Sequence, residues 1–373
     1  MGNSAGSVVV TILATVLLFG VLIFIHELGH YLTARLFGVT IHEFSIGMGP
    51  KVFGKVSKKT GILYSFRALP IGGYVAMEGE NEESQDPNAF HRKKVWQRMI
   101  ITAAGATMNL ILGVLLALIY VLTMHLHFGT TVTAFPAGAY SASSPEPLEV
   151  GDVITKIGSS SVRVGQDVVY ELFRAGSDAD RRYARDGEHE EVRVDVTVRR
   201  NGEETVLHGV AFPVSSEDGF TYGLRDFYYD EQTKTFSSVM LNTARQVRLS
   251  VKMVYESLFD LITGKYGIKQ LSGPVGTAGA VGDAIKSDAS SEEGGDRNSF
   301  LYLCMMITVN LGLFNLLPVP ALDGGRLFFQ FIELIFRRPV PRKVEGMIHT
   351  VGLILLLLLM AVVAVKDVFG LFG

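Results

Sequence analysis

Cysteine is almost absent from this chain. Cys304 is the only one among 373 residues, which excludes an internal disulfide and any cysteine-rich metal site. It lies in an apolar run, where a packed thiol is the ordinary reading. An excess of one charge is lacking too. Thirty-four Lys and Arg stand against 37 Asp and Glu, a net −3, so no electrostatic argument points to nucleic acid. No Lys or Arg precedes Arg35. A cleavable signal peptide needs a basic start, and the first apolar run leads directly into a charged segment, so the N-terminus is expected to be retained.

What the chain has is hydrophobic residues, 48% of the total, with a mean hydropathy of +0.30. That is too apolar for an ordinary soluble domain and too charged for a bare membrane bundle, so a membrane part plus a soluble part is expected. Four segments are long and apolar enough to span a bilayer: Val8–Phe37, Met99–Met124, Phe300–Leu317 and Met347–Val365. Nine Lys or Arg lie between the first two and five between the last two, whereas the start MGNSAGS has no charged side chain. The positive-inside rule then places both basic connections in the cytoplasm and both termini outside.

The first span ends in VLIFIHELGHYLTAR, Val21 to Arg35. HELGH sets His26 and His30 four residues apart, so on a helix both imidazoles project from one face. That is a grip for zinc, and Glu27 beside it is placed to take a proton from water at the metal. Ionisable groups inside an apolar span cost roughly 2.5–3.5 kcal/mol each unless they pair or bind something, which favours a site over incidental histidines.

The chain divides into four parts. Residues 1–127 form the first half of a membrane core, with IHEFSIGMGPKVFGKV and ILYSFRALPIGGYVAM reading as hairpins at the membrane face. Residues 128–215 are soluble: LEVGDVITKIGSSSV reads strand, turn, strand, QDVVYELFRAG a helix, and VRVDVTVRR-NG-EETVLHGV a hairpin on Asn201-Gly202. The charged run GSDADRRYARDGEHEE reads as a solvated loop, its His189 implying no metal. Residues 216–298 hold an amphipathic helix over Phe236–Gly264 and an acidic connecting loop. Residues 299–373 complete the membrane core.

Two histidines leave a catalytic zinc short of the three protein ligands it takes. Asp323, in NLLPVPALDGGRLFF at the end of the third span, is the best supplier. An Asp before Gly-Gly and an apolar helix is also what an N-cap looks like, and the spacing leaves both readings open. His349 and Glu333 are weaker candidates.

Taken together, HELGH, EFSIGMGP, LPIGGYV, GATMN and NLLPVPALDGG resemble the site-2 proteases, zinc-dependent intramembrane proteases, and most closely their bacterial RseP-like branch. LEVGDVITKIGSSSV resembles part of that branch's PDZ domain, and LSGPVG (Leu271–Gly276) recurs there as well. The resemblance implies an α-helical multi-pass membrane protein of about four transmembrane helices, with membrane-associated β-hairpins and an extracytoplasmic PDZ-like α+β domain. It implies Zn2+ on His26, His30 and Asp323, Glu27 as catalytic acid and base, and substrate contacts at Asn315, Pro318, Gly72, Gly73 and Tyr74. Partners would be a transmembrane protein or peptide substrate and the lipid bilayer of the bacterial cytoplasmic membrane, with a further extracytoplasmic partner at the PDZ-like domain. One departure is that Gly105-Ala106 stands where the family has Gly-Pro.

The function expected is cleavage of transmembrane segments in regulated intramembrane proteolysis, with anti-sigma factors or remnant signal peptides as substrate types. A catalytically silent PDZ scaffold and a metal transporter are the alternatives. The orientation is checked by cysteine-accessibility labelling in a background lacking Cys304. Positions 58 and 338 should react from the cytoplasm and position 202 from outside; the reverse pattern would overturn the topology.

Overall fold

The computed structural model describes residues 5–80, 82–124, 127–183, 191–217, 220–265, 272–290 and 298–370. The chain forms two compact units, one of residues 1–123 with 250–373 and one of residues 124–249.

In the first unit, four helices among the described residues are long and apolar enough to cross a membrane: α1 (Ala5–Leu36), α2 (Val95–Thr123), α6 (Ser299–Leu316) and α8 (Arg342–Gly370). They match the four apolar runs of the sequence to within a few residues. Hydrophobic solvent does not drive such helices together, so small residues at the contacts decide how closely they pack. A Cβ on Gly29 of α1 would lie 2.4 Å from the Ala104 carbonyl oxygen of α2, and one on Gly113 of α2 would lie 2.6 Å from Val309 of α6. Glycine at these positions lets α2 pack directly on α1 and α6.

Gly38, at φ +65, turns the chain out of α1 into β1 (Ile41–Val56), which pairs with β2 (Leu63–Met77). The two predicted hairpin segments are thus two long, bulged strands. Residues 41–46 lie between the two halves of β2: Phe44 aligns with Val75 on one side and with Tyr64 on the other. The outer segment 73–77 is therefore an edge. Tyr31, Val39, Ile41, Phe44, Ile62, Val75 and Ile101 form the core that fixes this sheet to α1 and α2. Its far end presents Val52, Phe53 and Phe66 as exposed apolar side chains.

Helix α5 (Pro274–Ser290) was not expected. Its Gly-rich sequence argues against a helix by propensity, but it packs on α1, where a Cβ on Gly282 would lie 2.9 Å from Thr11 Oγ1 and Val281 is fully buried. The LSGPVG motif falls at its start. Asp367 of α8 accepts backbone N–H bonds from Gly273 (2.8 Å) and Gly276 (2.9 Å), tying the first turn of α5 to the last helix. At its other end Asp288 accepts N–H bonds from Ser299 and Phe300 and so caps α6. That gives one residue of the acidic connection a role.

The second unit is a seven-stranded sheet with a helix. Strands β3 (His127–Ala134), β4 (Val153–Ile157), β5 (Ser160–Ser161), β6 (Glu191–Arg200), β7 (Glu203–Glu217), β8 (Phe220–Gly223) and β9 (Tyr228–Gln232) run in the order β8-β7-β6-β4-β3-β9, with β5 beside β4. The β6–β7 turn is Asn201-Gly202, both at positive φ, as the hairpin reading required. Two readings are corrected. The helix extends further than expected, as α3 (Gly165–Tyr183), taking in part of the charged run; His189 lies outside the described residues. The sheet also continues past 215 through β8 and β9. Buried Asp152 of the VGD turn receives a two-pronged bond from Arg200 at 2.7 Å on each oxygen. Helix α4 (Phe236–Ile262) follows and carries the predicted amphipathic segment.

Replacing Asp367 by Ala removes two charge-assisted caps in a buried place, a loss of about 1–3 kcal/mol. A thermal melt of the purified protein should fall by several degrees while zinc content is unchanged. An unaltered melting temperature would contradict the role of this contact.

Candidate metal centre

His26 and His30 occupy the last third of α1 and project towards α2 and α7 (Asp323–Phe336). The sequence left Asp323 between an N-cap and a ligand. The N-cap of α7 is Leu322, without a side-chain cap, and Asp323 is the first helical residue. Its carboxylate turns to the histidines instead: Asp323 Oδ2 lies 3.1 Å from His26 Nε2 and 3.3 Å from His30 Nε2. The two Nε2 atoms are 3.3 Å apart.

The backbone fixes what these atoms offer. His30 Nδ1 lies 2.8 Å from the carbonyl oxygen of Ile101, which only accepts, so Nδ1 carries the proton and the neutral ring presents a lone pair at Nε2. Asn109 Nδ2 lies 3.4 Å from His26 Nδ1, while the buried Oδ1 of the same amide has no partner among the described residues; exchanging the two near-equivalent amide atoms satisfies Oδ1 with a ring N–H. With that oxygen turned to the ring, His26 takes the same tautomer. Three lone-pair donors then converge with no hydrogen between them, and Asp323 Oδ2 is a buried acceptor without a donor. Such an arrangement calls for a cation. Zinc bonds of about 2.0–2.2 Å at tetrahedral angles set neighbouring ligands ~3.3–3.4 Å apart, and the observed edges of 3.1 to 3.3 Å fit that. Among the described residues this is the one cluster of three such side chains with ligand atoms within 4.8 Å of one another.

The chain makes space for the donors at Gly105 of α2. A Cβ there would lie 2.3 Å from His30 Nε2 and 2.8 Å from His26 Nε2. Glu27 is buried beside them, and a Cβ on Gly73 would lie 2.8 Å from its Cγ. The cleft over the centre has a volume of about 460 Å3 and is lined by His26, Glu27, His30, Asp323, the edge segment Gly73–Met77, Glu80, Phe90, Thr102 and Arg326.

Helix α7 is held by polar contacts. Arg326 pairs with Glu80, Gln330 Nε2 donates to Thr102 Oγ1 at 3.0 Å, and Glu333 accepts from Arg98 at 2.6 Å. Meanwhile Phe328, Phe331 and Ile335 are exposed. Its polar stripe therefore faces inward and its apolar stripe outward, the reverse of a soluble helix. Glu333 is thus an ion-pair partner rather than a metal ligand. The turn before α7 is strained, with Ala321 at φ +80, a conformation costing a non-glycine residue about 1–3 kcal/mol.

Of the other expected site residues, Gly73 and Tyr74 line the cleft, and Gly72, at φ +74, forms the bend before them. Asn315, half-buried near the end of α6, and Pro318, exposed, are not among its lining residues. Sequence reasoning missed Glu80, Thr102 and Arg326, and gave Gly105 no role. The signal for Gly105 was there: Ala103-Ala104-Gly105-Ala106 is a run of small side chains in an apolar helix, the usual mark of close helix approach.

A profile of peptidase family M50 matches residues 14–359. The chain belongs to that family. Among similar proteins, a "putative zinc metalloprotease" of Fusobacterium nucleatum is 34% identical over 367 residues, covering 97% of this chain and all of that protein. One of the same description from Clostridium acetobutylicum is 35% identical over 362 residues, 96% of this chain and 97% of the relative. The regulator of sigma-W protease RasP of Bacillus subtilis is 28% identical over 446 residues, 97% and 99% of the two chains. The four apolar helices and the bacterial relatives together make this M50 peptidase an inner-membrane protein.

Gly105→Ala puts a methyl group where the two Nε2 atoms meet. The purified variant should lose most of its zinc, by at least about tenfold in affinity, with its helical circular dichroism retained. Wild-type zinc affinity in Gly105→Ala would contradict the geometry above.

Proposed function

We propose that this chain is an intramembrane zinc metalloendopeptidase whose metal is held by His26, His30 and Asp323 and whose proton carrier is Glu27. The observation that carries the reading is the convergence of three lone-pair donors, two of them on an apolar, membrane-length helix, with a buried carboxylate one residue from the first of them. Zinc, when bound, supplies Lewis acidity, acidifying water towards a pKa of ~7 and polarising the scissile carbonyl. Glu27 takes the proton from the attacking water and delivers it to the leaving amine as the C–N bond breaks.

Membrane-spanning substrates hide their peptide bonds inside a helix and must unwind locally to be cut. The edge segment 73–77 supports this step. It pairs with 41–46 on one side only, among the described strands, and its backbone lines the cleft beside Glu27. An extended stretch of substrate adding to that edge gains main-chain hydrogen bonds in place of its helical ones. Substrate types that fit are anti-sigma factors and remnant signal peptides, both of which present one apolar span. The exposed Val52, Phe53 and Phe66 suit a sheet dipping into the membrane face. The basic connections favour a cytoplasmic position for the centre and outer positions for both termini.

The second unit we take as an extracytoplasmic PDZ-like filter that acts by size. Capture of a substrate's C-terminal carboxylate needs free backbone amides in a turn. At Gly223-Leu224 the Leu224 N–H is engaged, donating to Pro213 O at 2.7 Å, and Gly223 is crowded, since a Cβ on Gly176 of α3 would lie 2.2 Å from its nitrogen. Helix α3 packs too closely on β8 for a peptide to lie there.

Glu27→Gln should keep zinc and fold but lower cleavage of a reconstituted transmembrane peptide by at least about a hundredfold. Turnover near wild type would end this reading. For the filter, one transmembrane segment is presented with either a short outer tail or a large folded outer domain. Wild type should cut only the short form, whatever residues end its tail, and a variant lacking the module should cut both. Equal cleavage by wild type would remove the filter, and dependence on the last residues of the tail would replace it with capture.

A further inference from the structure

We propose that His349 is the positioning residue that sets Asp323 for metal binding, by holding the strained turn that precedes it; this rests on Asp323 being a metal ligand.

His349 lies on α8, 26 residues beyond Asp323, and is not part of the metal cluster. Its Nδ1 accepts the backbone N–H of Ala321 at 3.0 Å. Ala321 is the residue at φ +80, two positions before Asp323. A side chain resists that conformation, so the turn keeps it only if the surroundings hold it there. The bond to His349 is a hold on the backbone amide of the strained residue itself. Acceptance at Nδ1 fixes the ring as the neutral tautomer with its proton on Nε2, and that buried nitrogen has no partner among the described residues.

A second observation, steric in kind, brings the same turn to the same helix. Gly352 lies one turn beyond His349 on α8, and a Cβ there would lie 2.3 Å from Pro320 Cβ and 3.0 Å from its carbonyl carbon. Helix α8 thus offers a notch for Pro320 and an acceptor for Ala321, in register along one face. A Cβ on Gly325 would also meet His349 Cε1 at 3.1 Å, so the ring abuts the first turn of α7. The direction of the Asp323 carboxylate follows from the turn that α8 shapes. A last helix with no ligand of its own then takes part in metal binding.

The test compares His349→Leu, which removes the acceptor, with His349→Asn, which is of similar size and keeps an oxygen where Nδ1 was. Zinc affinity of the full chain in detergent is read by competition with a chelator, with a thermal melt as the control for folding. His349→Leu should weaken zinc by about tenfold or more, whereas His349→Asn should stay within about threefold of wild type. Adding Ala321→Gly to His349→Leu should recover affinity, because glycine adopts positive φ without help. If His349→Leu alone does not fold, Leu and Asn are compared in the Ala321→Gly background, where the two should bind zinc within about threefold of each other and a larger gap would overturn the proposal. Wild-type affinity in His349→Leu, an Asn variant as weak as Leu, or no recovery on adding Ala321→Gly would each overturn the proposal. Asp323→Asn separates the two layers. If it keeps full zinc affinity, the ligand assignment itself fails; if it loses zinc while His349→Leu does not, only the role of His349 fails.

Discussion

Three lone pairs that meet in a buried place with nothing between them are the constraint on which the rest of this molecule depends. Left alone, His26 Nε2, His30 Nε2 and Asp323 Oδ2 would repel one another at 3.1 to 3.3 Å. A divalent cation converts that repulsion into binding. Much of the first unit arranges the meeting. The Ile101 carbonyl and the Asn109 amide fix which nitrogen of each ring faces inward. Gly105 leaves the space. The inward polar stripe of α7, Arg326, Gln330 and Glu333, locks the helix that begins with Asp323 against α2 and Glu80.

The membrane explains why the centre is built this way. A charge or an unpaired imidazole within an apolar span is costly, so the donors are tolerated where each is bonded or metal-bound. The water that hydrolysis consumes must come from the polar side, which fits a cleft lined by Glu80 and Arg326 as well as by the apolar Val75 and Phe90. Backbone with unmet hydrogen bonds is likewise tolerated at membrane depth only beside protein or water. The 73–77 edge meets that condition by lining the cleft, and the same property underlies the substrate pairing proposed for it.

How much of this was legible in the sequence depended on whether a feature was local. The four spans and the two long strands were visible because hydropathy, alternation and Gly breaks are read along the chain. HELGH was visible because both proposed ligands lie on one helix. Asp323 was ambiguous, since an N-cap and a ligand before Gly-Gly look alike until a second element is brought beside them. Helix α5 was hidden because its glycines, poor for an isolated helix, serve packing on α1. The tail of α3 was hidden by its charges, and Gly105 and Asp367 by the fact that their partners lie far away in the chain. His349 was weighed as a ligand for its chemistry, whereas the structure has it bonded to the backbone of the turn that precedes Asp323.

X-ray absorption at the zinc edge of the purified wild-type chain, combined with metal stoichiometry, tests the central claim most directly. One zinc per chain is expected, with an inner shell of nitrogen and oxygen at about 2.0–2.1 Å and outer-shell scattering from two imidazoles. A shell containing sulfur, a signal from one imidazole or none, or protein that binds no zinc under metal-replete conditions would contradict it.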